Sequence, residues 1–474
     1  MKMPLSAVLF NCIIFNNIKK YLLHHNMLGC LADTCTSLRQ YKFEDIMILT
    51  NNASYLYYTH EPFRQTILNY RRKMKTKYPQ FKFGLNLRYI DLTYSTNKTL
   101  HDIFEGLYYV DLSYAKELTD ITSLKDIPIV RLIGCSKLTN IEILSHIGHK
   151  KDLSEQMINT KYLNLDWYYN TKDRNNINSF INLADCIAIT DFSSLQYIMH
   201  VDLAGCEQIT SADLIHFSYT KTLNLSGCNL ITDVSMLSHL EGLNISRCYN
   251  ITDVSHLSQL HTIKLHRCRI TDVSALGNVK NLDLSSCCNL TNVSALGNVE
   301  NLNLSCCDNL TDVSALGNVK NLDLHGCDSL TDVSGLGNVR ELNLNNCEHI
   351  IDVSNLINVE KLYLLGCYSI TDIPCFTVKI LDLSFCKITD FSKLINVQYL
   401  TVAHCKQITD KDVPFFANKY FLDLTGCTNI TNVDILLDNV KILDLSFCTG
   451  ITDLSPFADD GITTLNRYYT RTLK

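Results

Sequence analysis

Along most of the chain, apolar residues return in one fixed order. Two leucines flank a single polar residue, a cysteine follows three residues after the second leucine, and an L-T-D-V-S-x-L run closes on a polar turn. The segments LNLSGCNLITDVSML (223–237), LDLSSCCNLTNVSAL (282–296), LNLSCCDNLTDVSAL (302–316) and LDLHGCDSLTDVSGL (322–336) carry the pattern. In Leu282-Asp283-Leu284 the alternation has period 2, which predicts a short strand with one buried face. Cys287 is expected to turn inward as the strand ends, and Leu290, Val293 and Leu296 continue the core. The run at 291–294 is too short for an α-helix and predicts an extended segment or a single 3-10 turn on the outer side.

The position five residues after the first leucine makes a ruler. It falls on Ser95, Ala115, Cys135, Tyr168, Cys186 and Cys206, and continues to Cys448, giving 18 units of which 15 carry cysteine. Most steps are 19 to 22 residues; the long one, Cys135 to Tyr168, is 33. A unit of this length cannot bury its own apolar face, so it must stack on its neighbours into a repeat solenoid with a parallel β ribbon on its concave face, spanning 85–461. The residue between the strand leucines faces the concave side. It is Asp or Asn in 14 of the 18 units, including Asp91, Asp202, Asp283, Asp323, Asp382, Asp423 and Asp444. This stripe reads as side-chain hydrogen bonding that keeps the face soluble, or as an acidic track for a basic partner. Nearby Lys280, Lys320, Arg340 and Lys379 are expected to offset its charge. Breaks in the pattern mark candidate contact points: Trp167 beside the long unit, and Tyr363, Phe385, His404 and Phe447 toward the C-terminal end.

Residues 1–45 lack the repeat. Ile14, Phe15, Ile18, Tyr21 and Leu22 recur at helical spacing, Leu31 belongs to a second apolar set, and Cys35 and Leu38 to a third, predicting a small α-helical domain. Residues 46–84 read as a helical linker and cap, and 462–474 as a C-terminal cap or tail.

The repeated motif resembles the leucine-rich repeat, with cysteine where most members carry asparagine, as in the subclass found in F-box proteins. The N-terminal spacing resembles an F-box, with Phe10-Asn11 in place of its Leu-Pro and Leu38 in place of its tryptophan. That pairing resembles the F-box/leucine-rich-repeat proteins of giant DNA viruses. The resemblance implies a non-catalytic adaptor: Ile14, Phe15, Ile18, Tyr21, Leu22, Leu31, Cys35 and Leu38 would contact a Skp1-like subunit of a cullin ubiquitin ligase. The concave face would hold a target protein. The alternative is an interaction scaffold without ligase contact.

Composition narrows the rest. A net charge of −6 gives no electrostatic basis for nucleic-acid binding, and no apolar run reaches membrane-spanning length. The 21 cysteines, an odd number, cannot all pair within one chain. A ladder spreads the ruler thiols along a line, whereas a metal needs ligands converging on a point, so no metal or cofactor is expected. Buried thiols fit a reducing compartment, the cytosol or nucleus (of a host cell, if the chain is viral). Cys306 is expected on the concave side of its strand. No nucleophile, histidine and carboxylate recur in a catalytic arrangement, so no enzyme is expected.

Overall fold

A computed structural model describes residues 46–49, 54, 57–58, 61–77, 82–87, most of 107–144, 180–436, 440–452 and 464–466 of the 474-residue chain. They form a leucine-rich repeat solenoid in two compact units, divided between Leu230 and Ile231.

The first unit holds strands β1 (Ile46–Leu49), β2 (Lys82–Asn86), β3 (Tyr109–Asp111), β4 (Ile129–Arg131), β5 (Phe180–Asn182), β6 (His200–Asp202) and β7 (Thr222–Asn224). Each pairs in parallel with the next. Helix α1 (Glu61–Lys77) connects β1 to β2, with Pro62 in its first turn and Phe63 and Ile67 buried one turn apart.

The second unit holds β8 (Gly242–Asn244), β9 (Thr262–Lys264), β10 (Asn281–Asp283), β11 (Asn301–Asn303), β12 (Asn321–Asp323) and β13 (Glu341–Asn343). It continues with β14 (Lys361–Tyr363), β15 (Ile380–Asp382), β16 (Tyr399–Thr401), β17 (Phe421–Asp423), β18 (Ile442–Asp444) and β19 (Thr464–Asn466), again each parallel to the next. The outer side is a 3-10 turn in most repeats, such as Ser294–Leu296 and Ser314–Leu316.

One repeat shows why the sequence folds this way. Leu282 and Leu284 point inward, followed by Cys287, Leu290, Val293, Leu296 and Val299, and all seven are buried. The residue before each ruler position turns the chain with positive φ. Among the described residues all 16 with positive φ occupy that place, six of them glycine and the rest including Ser286, Cys306, Phe385, His404 and Phe447. The turn aims the backbone N–H of that residue at the next repeat, as in Ser286 N–H to Ser305 O at 2.7 Å, so the ladder runs on past the strands.

The array departs from the sequence reading in three places. Asn86 pairs with Asp111, so the second strand lies five residues before the expected Asp91; Asp91 and Ser95 themselves lie outside the described residues. Ile90-Asp91-Leu92 and Leu85-Asn86-Leu87 fit the leucine spacing equally well, and pairing with β3 selects the latter. Arg131 of β4 pairs directly with Asn182 of β5, and Tyr168, the expected ruler residue of the long unit, lies outside the described residues. Finally, strands β1 and β19 carry the parallel pairing beyond both expected ends, 85 and 461.

Candidate functional site

The site is the open face of the sheet, expected to be concave, and the rim where its strands end. The Asp/Asn stripe lies on that face, between inward leucines, but its first task is local. In twelve of the described strands that carry it, the side-chain Oδ1 accepts the backbone N–H two residues on, at 2.8–3.1 Å. Asp202, Asp283, Asp323, Asp382, Asp423 and Asp444 all do this. Asp and Asn place a strong acceptor at that reach, which explains why they dominate this position. The same Asx turn opens the 3-10 segments: Asp312 accepts from Ser314 N–H at 2.9 Å, and Asp332 from Ser334 at 2.8 Å. Those amide donors hold the outer aspartates below the usual carboxylate range.

The ruler cysteines have equally specific partners. Fourteen of them place Sγ 2.9–3.3 Å from the carbonyl of the inward residue that directly follows the strand in the preceding repeat, for example Cys287 to Leu265 and Cys327 to Leu304. Burial pushes the Cys287 and Cys307 thiols up to about 12, which keeps them protonated donors. Among the described residues, no three or more His, Cys, Asp or Glu side chains are grouped so as to hold a metal ion. No helix among them is long and apolar enough to cross a membrane.

The expected contact points divide. Tyr363 stands on its strand, half-buried on the open face. Phe385, His404 and Phe447 do not stand on strands: they occupy the positive-φ turn and so form the rim. The Phe385 and His404 rings stack at 4.6 Å and 20°. His404 also leans over the next repeat, where a Cβ on Gly426 would come within 2.3 Å of its Nδ1. Cys306 belongs to the same turn position, and burial raises its thiol above the ordinary value, so it is not an activated nucleophile on the strand face. Ile14, Phe15, Ile18, Tyr21, Leu22, Leu31, Cys35, Leu38 and Trp167 lie outside the described residues.

No protein-family model matches the chain, and no curated protein matches it. Among solved structures it is similar to the functional domain of InlJ from Listeria monocytogenes, which includes a cysteine ladder, at 20% identity and a TM-score of 0.39. That match covers 55% of this chain and 61% of InlJ's, so the chain spans less than two thirds of that domain. The internalin InlF of the same organism matches at 15% identity and TM-score 0.36, over 81% of this chain and 93% of its own. A leucine-rich repeat protein of Leptospira interrogans matches at 15% identity and TM-score 0.35, over 77% and 89%.

Two features of the face were not read from the sequence. The first residue of each strand also points outward, and in β10–β12 it is asparagine. Asn281, Asn301 and Asn321 form an amide ladder, with Asn301 Nδ2 donating to Asn281 Oδ1 at 2.6 Å and Asn321 to Asn301 at 2.5 Å. Their 20-residue spacing was the available signal. One residue earlier, Glu300 bridges Lys280 and Lys320 at 3.0 and 2.9 Å, and Glu360 bridges Arg340 and Lys379 at 2.7 and 2.8 Å. These cations are engaged by glutamates at the strand entrances instead of offsetting the Asp stripe. Lys320 and Lys280 pull Glu300 down to about 2, and Lys379 and Arg340 do the same for Glu360.

Proposed function

We propose that this chain is a non-catalytic protein–protein interaction adaptor, whose repeat array holds a target on the open sheet face. The supporting observation is the face itself: strand after strand presents outward side chains at one register, and its thiols and carboxylates are engaged in turn and ladder hydrogen bonds that leave them no catalytic grouping. We further propose that residues 1–45 dock on a Skp1-like subunit, making the chain the target-recognition part of a cullin ubiquitin ligase in the cytosol or nucleus. The F-box-like spacing of Ile14, Phe15, Ile18, Tyr21 and Leu22 ahead of the first strand supports this. Neither nucleic acid nor a membrane is a partner in this reading.

Capture of purified Skp1 by the full chain tests the ligase assignment. The parent chain is expected to retain Skp1, and the double variant Ile18→Asp/Leu22→Asp to lose it with its circular dichroism unchanged. If the parent fails to retain Skp1, the scaffold reading without ligase contact takes its place.

A further inference from the structure

The repeats of the second unit serve as one another's controls, because each places its residues at the same register. In β10–β12 the first strand position is an asparagine whose amide is bonded to its neighbours, and between β13 and β14 Glu341 meets Lys361 at 2.8 Å. In the next four strands the same outward position becomes Ile380, Tyr399, Phe421 and Ile442. Their neighbours Leu381, Leu400, Leu422 and Leu443 are fully buried, which fixes the four on the opposite, open face. Tyr399 is 37% exposed, and its ring packs 5.3 Å from that of Tyr420, which is 49% exposed.

The same four repeats carry the aromatic rim. Phe385 and Phe447 are 42% and 46% exposed, although glycine, serine or asparagine serves that turn in Gly326, Ser286 and Asn346. Four successive strands thus hold an apolar row at the entrance, and at the exit a second row of Phe385, His404 and Phe447 that Gly426 interrupts after β17. A partner-free surface gains nothing from such rows, since burying them is what makes them favourable. Between the rows lie Asp382, Asp423 and Asp444. Each spends one carboxylate oxygen on its own Asx turn, and among the described residues neither Asp382 nor Asp423 has a basic partner. Two cations stand at the entrances of this row: Lys379 is held by Glu360 at 2.8 Å, and Lys441, before β18, is engaged as well. Burial and the neighbouring Asp444 and Asp382 raise the Asp423 carboxyl, a cost that an incoming cation would relieve.

We infer that the face of β15–β18 is the docking site for a segment of another protein in which arginine or lysine is interleaved with apolar residues. The basic side chains meet Asp382, Asp423 and Asp444, within reach of the aromatic rings for cation–π contact, while the apolar ones cover Tyr399, Phe421 and the rim. This rests on the reading of the open face as a partner surface and names the partner's chemistry.

The test is fluorescence anisotropy of the full chain with labelled peptides containing Leu-Arg-Leu-Arg-Leu, Leu-Glu-Leu-Glu-Leu or Ser-Arg-Ser-Arg-Ser. The first is expected to bind saturably and the other two much more weakly. Asp382→Asn/Asp423→Asn/Asp444→Asn should weaken binding by roughly tenfold or more, and Tyr399→Asn/Phe421→Asn likewise. These are residues the chain itself carries at the equivalent places of other repeats, so the Asx turns and the fold are retained, as circular dichroism would verify. Asp283→Asn/Asp323→Asn, in the polar strands, should leave binding unchanged. The inference is overturned if no peptide saturates, if Leu-Glu or Ser-Arg peptides bind as well, or if the patch variants bind like the parent. Sedimentation of the free chain gives one more outcome: self-association abolished by Tyr399→Asn/Phe421→Asn would assign the patch to a second copy and overturn it. Skp1 capture reads residues 1–45, so failure there leaves this result standing, and the reverse holds.

Discussion

Asp323 illustrates what a single residue does in this fold. Its side chain ends the strand by accepting the His325 N–H at 2.9 Å, while Asn303 and Asn343 do the same one repeat to either side. Acceptor geometry is what the turn needs, and charge is incidental to it. Asp323→Ala is therefore expected to lower stability by about 1 kcal/mol, and Asp323→Asn to leave it unchanged, as read from urea unfolding midpoints. Equal loss in both variants would mean that charge matters at this site. The sequence displayed the alternation of Asp and Asn openly but could not say which hydrogen bond it served, since an acceptor facing a neighbouring strand and one facing its own backbone leave the same trace. The ruler cysteines were easier to read. A small apolar thiol recurring at the strand exit has few places to go, and the structure adds only the carbonyl it meets, such as Leu304 for Cys327.

At the scale of one element, the segment entering β17 departs most from its siblings. Where Val279, Val299, Val319 and Val339 plug the turn before their strands, Lys419 stands fully buried. Its Nζ donates to the carbonyls of Leu394 at 2.6 Å and Ile395 at 3.0 Å, at the end of the neighbouring 3-10 turn Ser392–Leu394. Burial lowers this amine from its ordinary 10.5 to about 8. The folded chain thus holds fewer protons than the unfolded one between those two values. Its stability rises as pH climbs through that window and is lowest below it, where the buried amine is charged. Lys419→Met should accordingly be more stable than the parent by about 1–2 kcal/mol at pH 7, with the advantage shrinking toward pH 10. A constant difference across that range would place the cost elsewhere. No pattern of hydropathy announces such a substitution, because a lysine at an apolar position reads as a surface break. The same ambiguity hid the positive-φ turn, which accepts Gly, Ser, Arg and Phe alike, so Phe385, His404 and Phe447 read only as breaks in the pattern.

For the array as a whole, repetition turns small local terms into a collective one. The outer aspartates Asp233, Asp253, Asp272, Asp312, Asp332 and Asp352 are each held below the ordinary carboxylate value, mainly by hydrogen bonds from the serine two residues on. Glu300 and Glu360 lie at about 2. A carboxyl whose folded value is depressed contributes stability above its unfolded value and loses it as pH falls through the folded one. The urea midpoint should therefore hold steady from pH 7 to about pH 5 and fall steeply between about pH 4 and 2; a flat profile there would show that the turns do not depend on ionised acceptors. The solenoid was legible from its period, and the extent of the array was not. Strands β1 and β2 carry no ruler cysteine, so the pattern that marks the later repeats does not announce them. Near-identity of the central repeats also decides how such a gene can change. Loss of residues 281–300 would join Lys280 to Asn301 and restore every strand, turn and thiol partner in register, whereas loss of one residue within a strand would turn its inward leucines outward. The same excision would set Lys280 against Lys320 with no glutamate between them. Excision of a whole repeat thus spares the fold and rewrites the surface charge in the same stroke.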